Sequence, residues 1–263
     1  MAREVSSISR VGTSEPFELQ VARGQIAYHY DLHKFGFNSD VDDSLETVWA
    51  EGGLYSYLSV ATVLKVSSSS TADTSAGTGA RTVQLYGLDA DYNEINEIVT
   101  LNGQTAVNTT NSFLRINRMI VRTAGTGGTN AGVIYAGTGT VTTGVPANKY
   151  ATVATGDGQS LMALWTVPAG FTLYVYQTDV TVATTQNNKY ATISLVARPF
   201  GEVFQVKDRF AKAESQTTID YSFPLKFEEK TDIEYRCIGD SAGADIVVSA
   251  AIDGVYIKNG SEL

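Results

Sequence analysis

His29 and His33 are the only histidines of the chain. Their spacing would bring two imidazoles to one face of a helix, a common zinc arrangement. The set stops there. No cysteine lies near them, Asp31 would point away on a helix, and Gly24 and Gly36 oppose a helix in this segment. Asp40, Asp42 and Asp43 offer the oxygen ligands that calcium takes. They lack the turn glycine and distal glutamate of an EF-hand loop, so they read as a solvated acidic loop or as a cap for the run that follows. The single cysteine, Cys237, sits in the strand-like run Ile233-Glu234-Tyr235-Arg236-Cys237-Ile238 and reads as a buried structural thiol. Gly137-Thr138-Gly139-Thr140 has neither the lysine nor the following helix of a phosphate-binding loop. No serine stands in an elbow motif, and a Ser-His-Asp set would have to recruit its histidine from an irregular segment. The residues therefore predict no enzyme, no metal and no cofactor.

Tyrosine is abundant, with 14 residues. Tyr55 and Tyr57, and again Tyr174 and Tyr176, alternate so that both rings of each pair share one face of a strand. Sheet packing accounts for this. A protein–protein interface, where tyrosine is enriched, and a carbohydrate platform are the functional alternatives. Arg115, Arg118 and Arg122 read as edge or interface charges, since residues 115 and 118 face opposite ways on a strand.

The elements that must position these residues are strands. Thr82–Leu88 and Glu94–Leu101 form a hairpin across the polar segment Asp89-Ala90-Asp91-Tyr92-Asn93. Residues 54–66 are strand-like, and 67–80 are a Ser/Thr/Gly/Ala surface loop. Residues 112–122 form a strand whose phase slips near Asn117, the mark of a bulge or an edge. Residues 160–167 and 171–176 suggest a second hairpin around Pro168-Ala169-Gly170. Further strands are expected at 190–197, 202–206, 215–223, 231–238 and 246–257, and the best helix candidate is 206–214. Short strands at this spacing predict an all-β protein, an antiparallel β-sandwich or jelly-roll-like fold of one or two domains. Residues 1–45 show no useful periodicity and read as an extended N-terminal arm, ordered on a partner or folded back on its own domain. A glycine- and threonine-rich zone at 123–144 suggests a boundary near residue 140, giving β domains over 46–139 and 140–263.

Composition agrees. Charged residues make up 18% of the 263, below the roughly 25% of an average domain, and there are 30 threonines, which suit half-wet strand faces. A net charge of -9 argues against a general nucleic-acid binder and against an anionic-membrane binder. Residues 1–10 hold no apolar run of a signal peptide, and no stretch approaches the roughly 18 apolar residues of a membrane-spanning helix.

Three stretches together resemble a known family. They are His33-Lys34-Phe35-Gly36-Phe37-Asn38 leading to Glu46-Thr47-Val48-Trp49; Thr78–Val83 through Gly87–Glu94 to Thr100-Leu101-Asn102-Gly103; and Met162–Gly170 with Ala197-Arg198-Pro199-Phe200-Gly201 and Glu229–Ile233. The chain resembles uncharacterised virion structural proteins of tailed bacteriophages, marine and cyanobacterial ones above all, over about residues 24–258. The resemblance implies a virion protein, assembled in the host cytoplasm, and carries no functional residues with it. The expectation is a capsid decoration (cement) protein on the outer phage head, a homo-oligomer of three copies bound to the major capsid protein. Head fibre, host-glycan module, and tail or neck component are the alternatives. His29, His33, Lys34, Phe35, Phe37, Tyr55, Tyr57, Tyr174 and Tyr176 are the expected interface. Removing residues 1–38 is then expected to spare the β fold.

Overall fold

A computed structural model describes residues 15–186, 188–213, 215–241 and 245–261. One short helix, α1 (Phe17–Ala22), precedes β1 (His29–Val41) and the two-residue β2 (Glu46–Thr47). Seven strands follow: β3 (Thr62–Ser68), β4 (Ala80–Leu88), β5 (Glu94–Thr100), β6 (Val107–Phe113), β7 (Arg115–Ala124), β8 (Ile134–Thr142) and β9 (Val145–Val153). The chain ends in β10 (Leu164–Thr166), β11 (Phe171–Thr184), β12 (Ala191–Arg198), β13 (Gln205–Lys212), β14 (Ser215–Phe227), β15 (Asp232–Gly239) and β16 (Ile246–Lys258). The described chain is all-β and its sheets are antiparallel.

Two sheets, ordered β1-β16-β11-β14 and β10-β15-β12-β13, share one core. Val175, Val180, Val248 and Ile252 from the first meet Ile193, Leu195, Ile233 and Tyr235 from the second. The pairing is nested in sequence: β12 with β13, β11 with β14, β10 with β15, and β1 with β16. It is one long hairpin rolled up so that its outermost pair joins the first strand to the last.

Strands β3 to β9 are inserted between β2 and β10. They form two small sheets, β6-β3-β8-β9 and β5-β4-β7, around a second core that includes Leu64, Leu85, Phe113, Met119 and Ile134. The boundary expected near residue 140 would cut the β8–β9 hairpin, whose pairing runs from Ile134 with Val153 to Thr142 with Val145. The first unit is instead discontinuous, built from 29–47 and 164–258, and the inserted one spans 62–153.

The N-terminal segment takes the folded-back alternative and becomes a strand of the sheet. Residues 1–14 lie outside the described residues, but β1 pairs with β16 from His29 opposite Ile257 to Val41 opposite Ile246. Its inward positions are Leu32, Lys34, Gly36 and Asn38, while His33, Phe35 and Phe37 face outward. The hydrophobic pattern is inverted, so a period of two was invisible. Deleting residues 1–38 removes most of this strand and cannot leave the fold intact. Residues 206–214, the helix candidate, lie largely in β13, and β10 and β11 stand in different sheets across the Pro168-Ala169-Gly170 turn. The β4–β5 hairpin forms as expected, with Asp89 Oδ1 accepting the backbone N–H groups of Asp91 and Asn93. A bulge sits at Asn117, where β4 passes from Arg118 to Ile116 in one step. The loop 69–79 is anchored by Asp73, buried and bonded to Ser68 and to the amides of Ala80, Ala131 and Gly132.

Lys34 crosses between the units. Its side chain is 1% exposed and donates to the Asn117 carbonyl. Burial holds its pKa well below the ordinary lysine value, and the Arg118 charge lowers it further. Unfolded, this lysine is protonated below its ordinary pKa; folded, it stays neutral to much lower pH. In that window the unfolded state binds one more proton, so this residue makes stability rise with pH, by about 1.4 kcal/mol per unit. Lys34→Met is expected to raise stability at pH 7 by about 1–3 kcal/mol and to flatten the rise of stability with pH below the ordinary lysine pKa. Urea titrations at several pH values check this; an unchanged slope in the variant would show that Lys34 is not the source.

Candidate functional site

Strand β15 builds the seam between the units. Ile233, Tyr235 and Cys237 point into the rolled-up core. Asp232, Glu234 and Arg236 alternate with them and face the other way. That face is charged and yet buried, because the inserted unit and the connection through residues 55–58 cover it. Asp232 accepts from Arg115 (Nε 2.7 Å, Nη2 3.0 Å), Arg198 (Nη2 2.6 Å, Nε 3.1 Å) and the Thr166 hydroxyl (2.6 Å). Arg115 also donates to the carbonyls of Leu58 and Leu114 and to the Tyr92 hydroxyl. Glu234 accepts from Arg236, Thr47 and Tyr57. Burial raises its pKa, and the Arg236 charge opposes the rise.

The cations of the seam interleave with rings. Arg115 lies over Tyr92 (5.5 Å) and Tyr57 (5.0 Å), Arg198 over Tyr57 (4.7 Å) and Phe204 (4.7 Å), and Arg236 over Phe204 (4.1 Å). Lys230 extends the stack outward, over Tyr92 (5.8 Å) and Phe200 (5.3 Å). Each contact sits within the range where a ring face attracts a cation. The outer end opens into a cavity of about 680 Å³, walled by loops from both units and rimmed by the exposed side chains of Val60 and Phe200.

The side of the rolled-up unit away from the insertion is open. Strands β13 and β14 are the free edges of the two sheets. On β14, Asp220 stands opposite Gln177 and Leu225 opposite Val175, so residues 221–224 bulge against a single residue, Tyr176. Pro224 cannot donate to a ladder, which fits an edge. The Phe223 ring projects from this bulge, 87% exposed. Val203 and Val206 are exposed at the start of β13.

The expected interface residues scatter. His29 is buried beside Phe17 of α1, edge to face at 6.0 Å. His33 is exposed, its Nδ1 2.5 Å from Asp253 Oδ1, and it shares an outward face with Phe35 and Phe37. Lys34 is internal. Tyr55 is buried with its hydroxyl on the Tyr150 carbonyl, and Tyr57 stacks with the arginines of the seam. Tyr174 and Tyr176 are half-buried on the outer side of β11, where a bulge at Tyr176 shifts the strand's phase. Arg115, at the start of the terminal strand β7, is a seam residue, and Arg118 donates to the His33 carbonyl. Among the described residues no group of three or more His, Cys, Asp or Glu is placed to hold a metal ion. Asp40, near the end of β1, and Asp42 and Asp43, just beyond it, are exposed, and Cys237 is buried, with burial pushing its thiol pKa up. Sequence reasoning missed the seam; the signal was three arginines, Arg115, Arg198 and Arg236, in or beside strands of a charge-poor chain.

No protein-family model matches the chain, and no curated protein matches it. Among solved structures, one of the infectious bursal disease virus Gt strain aligns at 12% identity over 94% of this chain and 79% of that one, with a TM-score of 0.22. T=1 particles derived from infectious bursal virus align at 12% identity over 89% and 70%, with a TM-score of 0.24. The VP2 subviral particle of infectious bursal disease virus aligns at 10% identity over 94% and 78%, with a TM-score of 0.23. TM-scores this low do not establish a shared fold.

Proposed function

We propose that the protein is a non-enzymatic structural component of a virus particle, and within that class a capsid decoration protein on the outer head shell of a tailed bacteriophage. The observation that carries this is the Phe223 bulge. A large ring held in water on an open sheet edge, with Val203 and Val206 exposed on the neighbouring edge, is a surface that calls for a partner. The nested order of the eight principal strands supports a jelly roll, an architecture that recurs in viral capsid domains. The resemblance of residues 24–258 to phage virion proteins points the same way. On this reading the partner is the major capsid protein, the protein is a homo-oligomer of three copies assembled in the host cytoplasm, and the shell is strengthened because decoration binds only the assembled state. A net charge of -9 suits an outward position, away from DNA and membrane.

The test is copy number in purified particles, by quantitative mass spectrometry against the shell protein. A number comparable to the shell subunit supports decoration. A number far below it moves the protein to a head fibre, tail or neck, and absence removes the virion reading. Phe223→Asp is expected to weaken particle binding by about tenfold or more with no loss of melting temperature, because the ring contacts little of its own chain. Full occupancy by the variant would clear the bulge of this role.

A further inference from the structure

The stack of cations and rings is balanced by carboxylates everywhere but at its outer end. Arg115 and Arg198 share Asp232, and Arg236 has Glu234. Lys230 has no carboxylate within ion-pair distance and no hydrogen bond from its ammonium among the described residues. It stands at the 680 Å³ cavity, beside Phe200, whose ring is 64% exposed. Its backbone is held at φ 62°, a left-handed conformation that strains a non-glycine residue. The Lys230 N–H bonds the Val167 carbonyl, which ties this turn to the body of the fold.

From this we infer that the cavity is a binding site for a carboxylated sugar, a uronic-acid residue of a polysaccharide. The carboxylate completes the stack on Lys230, and the sugar's apolar face lies on Phe200, both lining the cavity. A compact ring suits the site better than an extended peptide. The walls come mostly from loop residues, at 57–61, 90, 92, 199–202 and 230, and the strands contribute only their ends, at Arg115, Arg198 and Asp232, so little strand edge is offered to a peptide backbone. The size is that of a small-ligand pocket, and its place at a seam between two units is where such pockets form. The inference does not rest on the place of the protein in a virion.

The experiment is a titration of the full chain, followed by calorimetry and by tyrosine and tryptophan fluorescence, with trigalacturonate, neutral galactotriose, sodium acetate and a glutamate-rich peptide. Trigalacturonate is expected to bind at least about tenfold more tightly than galactotriose and more weakly as salt rises. Lys230→Gly is the decisive variant. It removes the ammonium and also relieves the left-handed strain, so melting temperature is expected to hold or rise while trigalacturonate affinity falls about tenfold. Phe200→Ala is expected to weaken the uronate without restoring preference for the neutral sugar. Absence of uronate binding, equal affinity for acetate or galactotriose, or unchanged binding by Lys230→Gly each overturns the proposal. Binding of the acidic peptide without binding of the uronate overturns it in favour of a protein partner.

Discussion

Asp232→Ala is expected to destabilise the protein by about 3–5 kcal/mol, a large fraction of the roughly 5–15 kcal/mol that holds a domain folded. The carboxylate is 3% exposed and accepts five hydrogen bonds from three side chains. Removing it leaves two guanidinium groups and a hydroxyl facing a cavity. Arg115 is 7% exposed, and its remaining bonds are to two carbonyls and a phenol. The cost is chiefly that of an unpaired buried charge and only partly that of the lost bonds. Two consequences separate this from a simple packing defect. First, Arg115→Met in the Asp232→Ala background should recover part of the loss, because it removes the stranded cation and keeps the stem's volume. Second, Arg115 belongs to the inserted unit and Asp232 to the rolled-up one, so loosening the pair should let the units unfold in separate steps. Urea unfolding followed by two probes checks both. A single transition shifted by less than about 1 kcal/mol would show that the seam is not held by this pair.

The sequence made some of this legible and hid the rest for reasons that can be named. The β4–β5 hairpin was readable because its signal is local: alternating apolar residues on two strands and an Asp89 positioned to bond its own turn. The bulge at Asn117 was readable as a break of phase within one strand. The seam was not, because its members come from positions 57, 92, 115, 198, 204, 232, 234 and 236, and no periodicity joins residues that far apart. Strand β15 hides the seam in a particular way. Apolar Ile233, Tyr235 and Cys237 alternating with charged Asp232, Glu234 and Arg236 describe a strand with one face in water. Here the inserted unit covers that face, and nothing in the local pattern announces the cover. The histidine pair shows that a spacing has meaning only on its element. On a helix it would be a metal motif; on β1, one ring is buried against α1 and the other is exposed beside Asp253.

Gly36→Ala is expected to cost about 3 kcal/mol or more, at the upper end of what one added methyl does in a packed interior. Gly36 sits on the inward face of β1, where the chain leaves for the inserted unit and where it comes back. The two passages bond to each other and to β15: the Ala163 N–H to the Val48 carbonyl at 2.9 Å, the Ala50 N–H to the Leu161 carbonyl at 3.0 Å, and the Tyr235 N–H to the Ala163 carbonyl at 2.9 Å. A Cβ on residue 36 would lie 2.1 Å from the Ala163 nitrogen, 2.4 Å from the Val48 oxygen and 2.7 Å from the Met162 carbonyl carbon. All three are backbone atoms in hydrogen-bonded or paired positions, so no side-chain rotation relieves the contact. Either β1 withdraws from the second sheet, which uncovers the core near Val48 and Ala163, or the neck between the units opens. Glycine is thus required by close approach and not by its own dihedral angles. The expected fall in melting temperature is about 6–12 °C, and because the neck carries the insertion, the loss should appear in probes of both units. The control is Gly24→Ala, at a glycine with open space around its Cβ but a positive φ of 64°. Its smaller cost would be one of backbone strain alone, of order 1 kcal/mol. A Gly36→Ala variant that melts within about 2 °C of the parent would mean that β1 does not pack at this depth and that the neck is looser than these distances require.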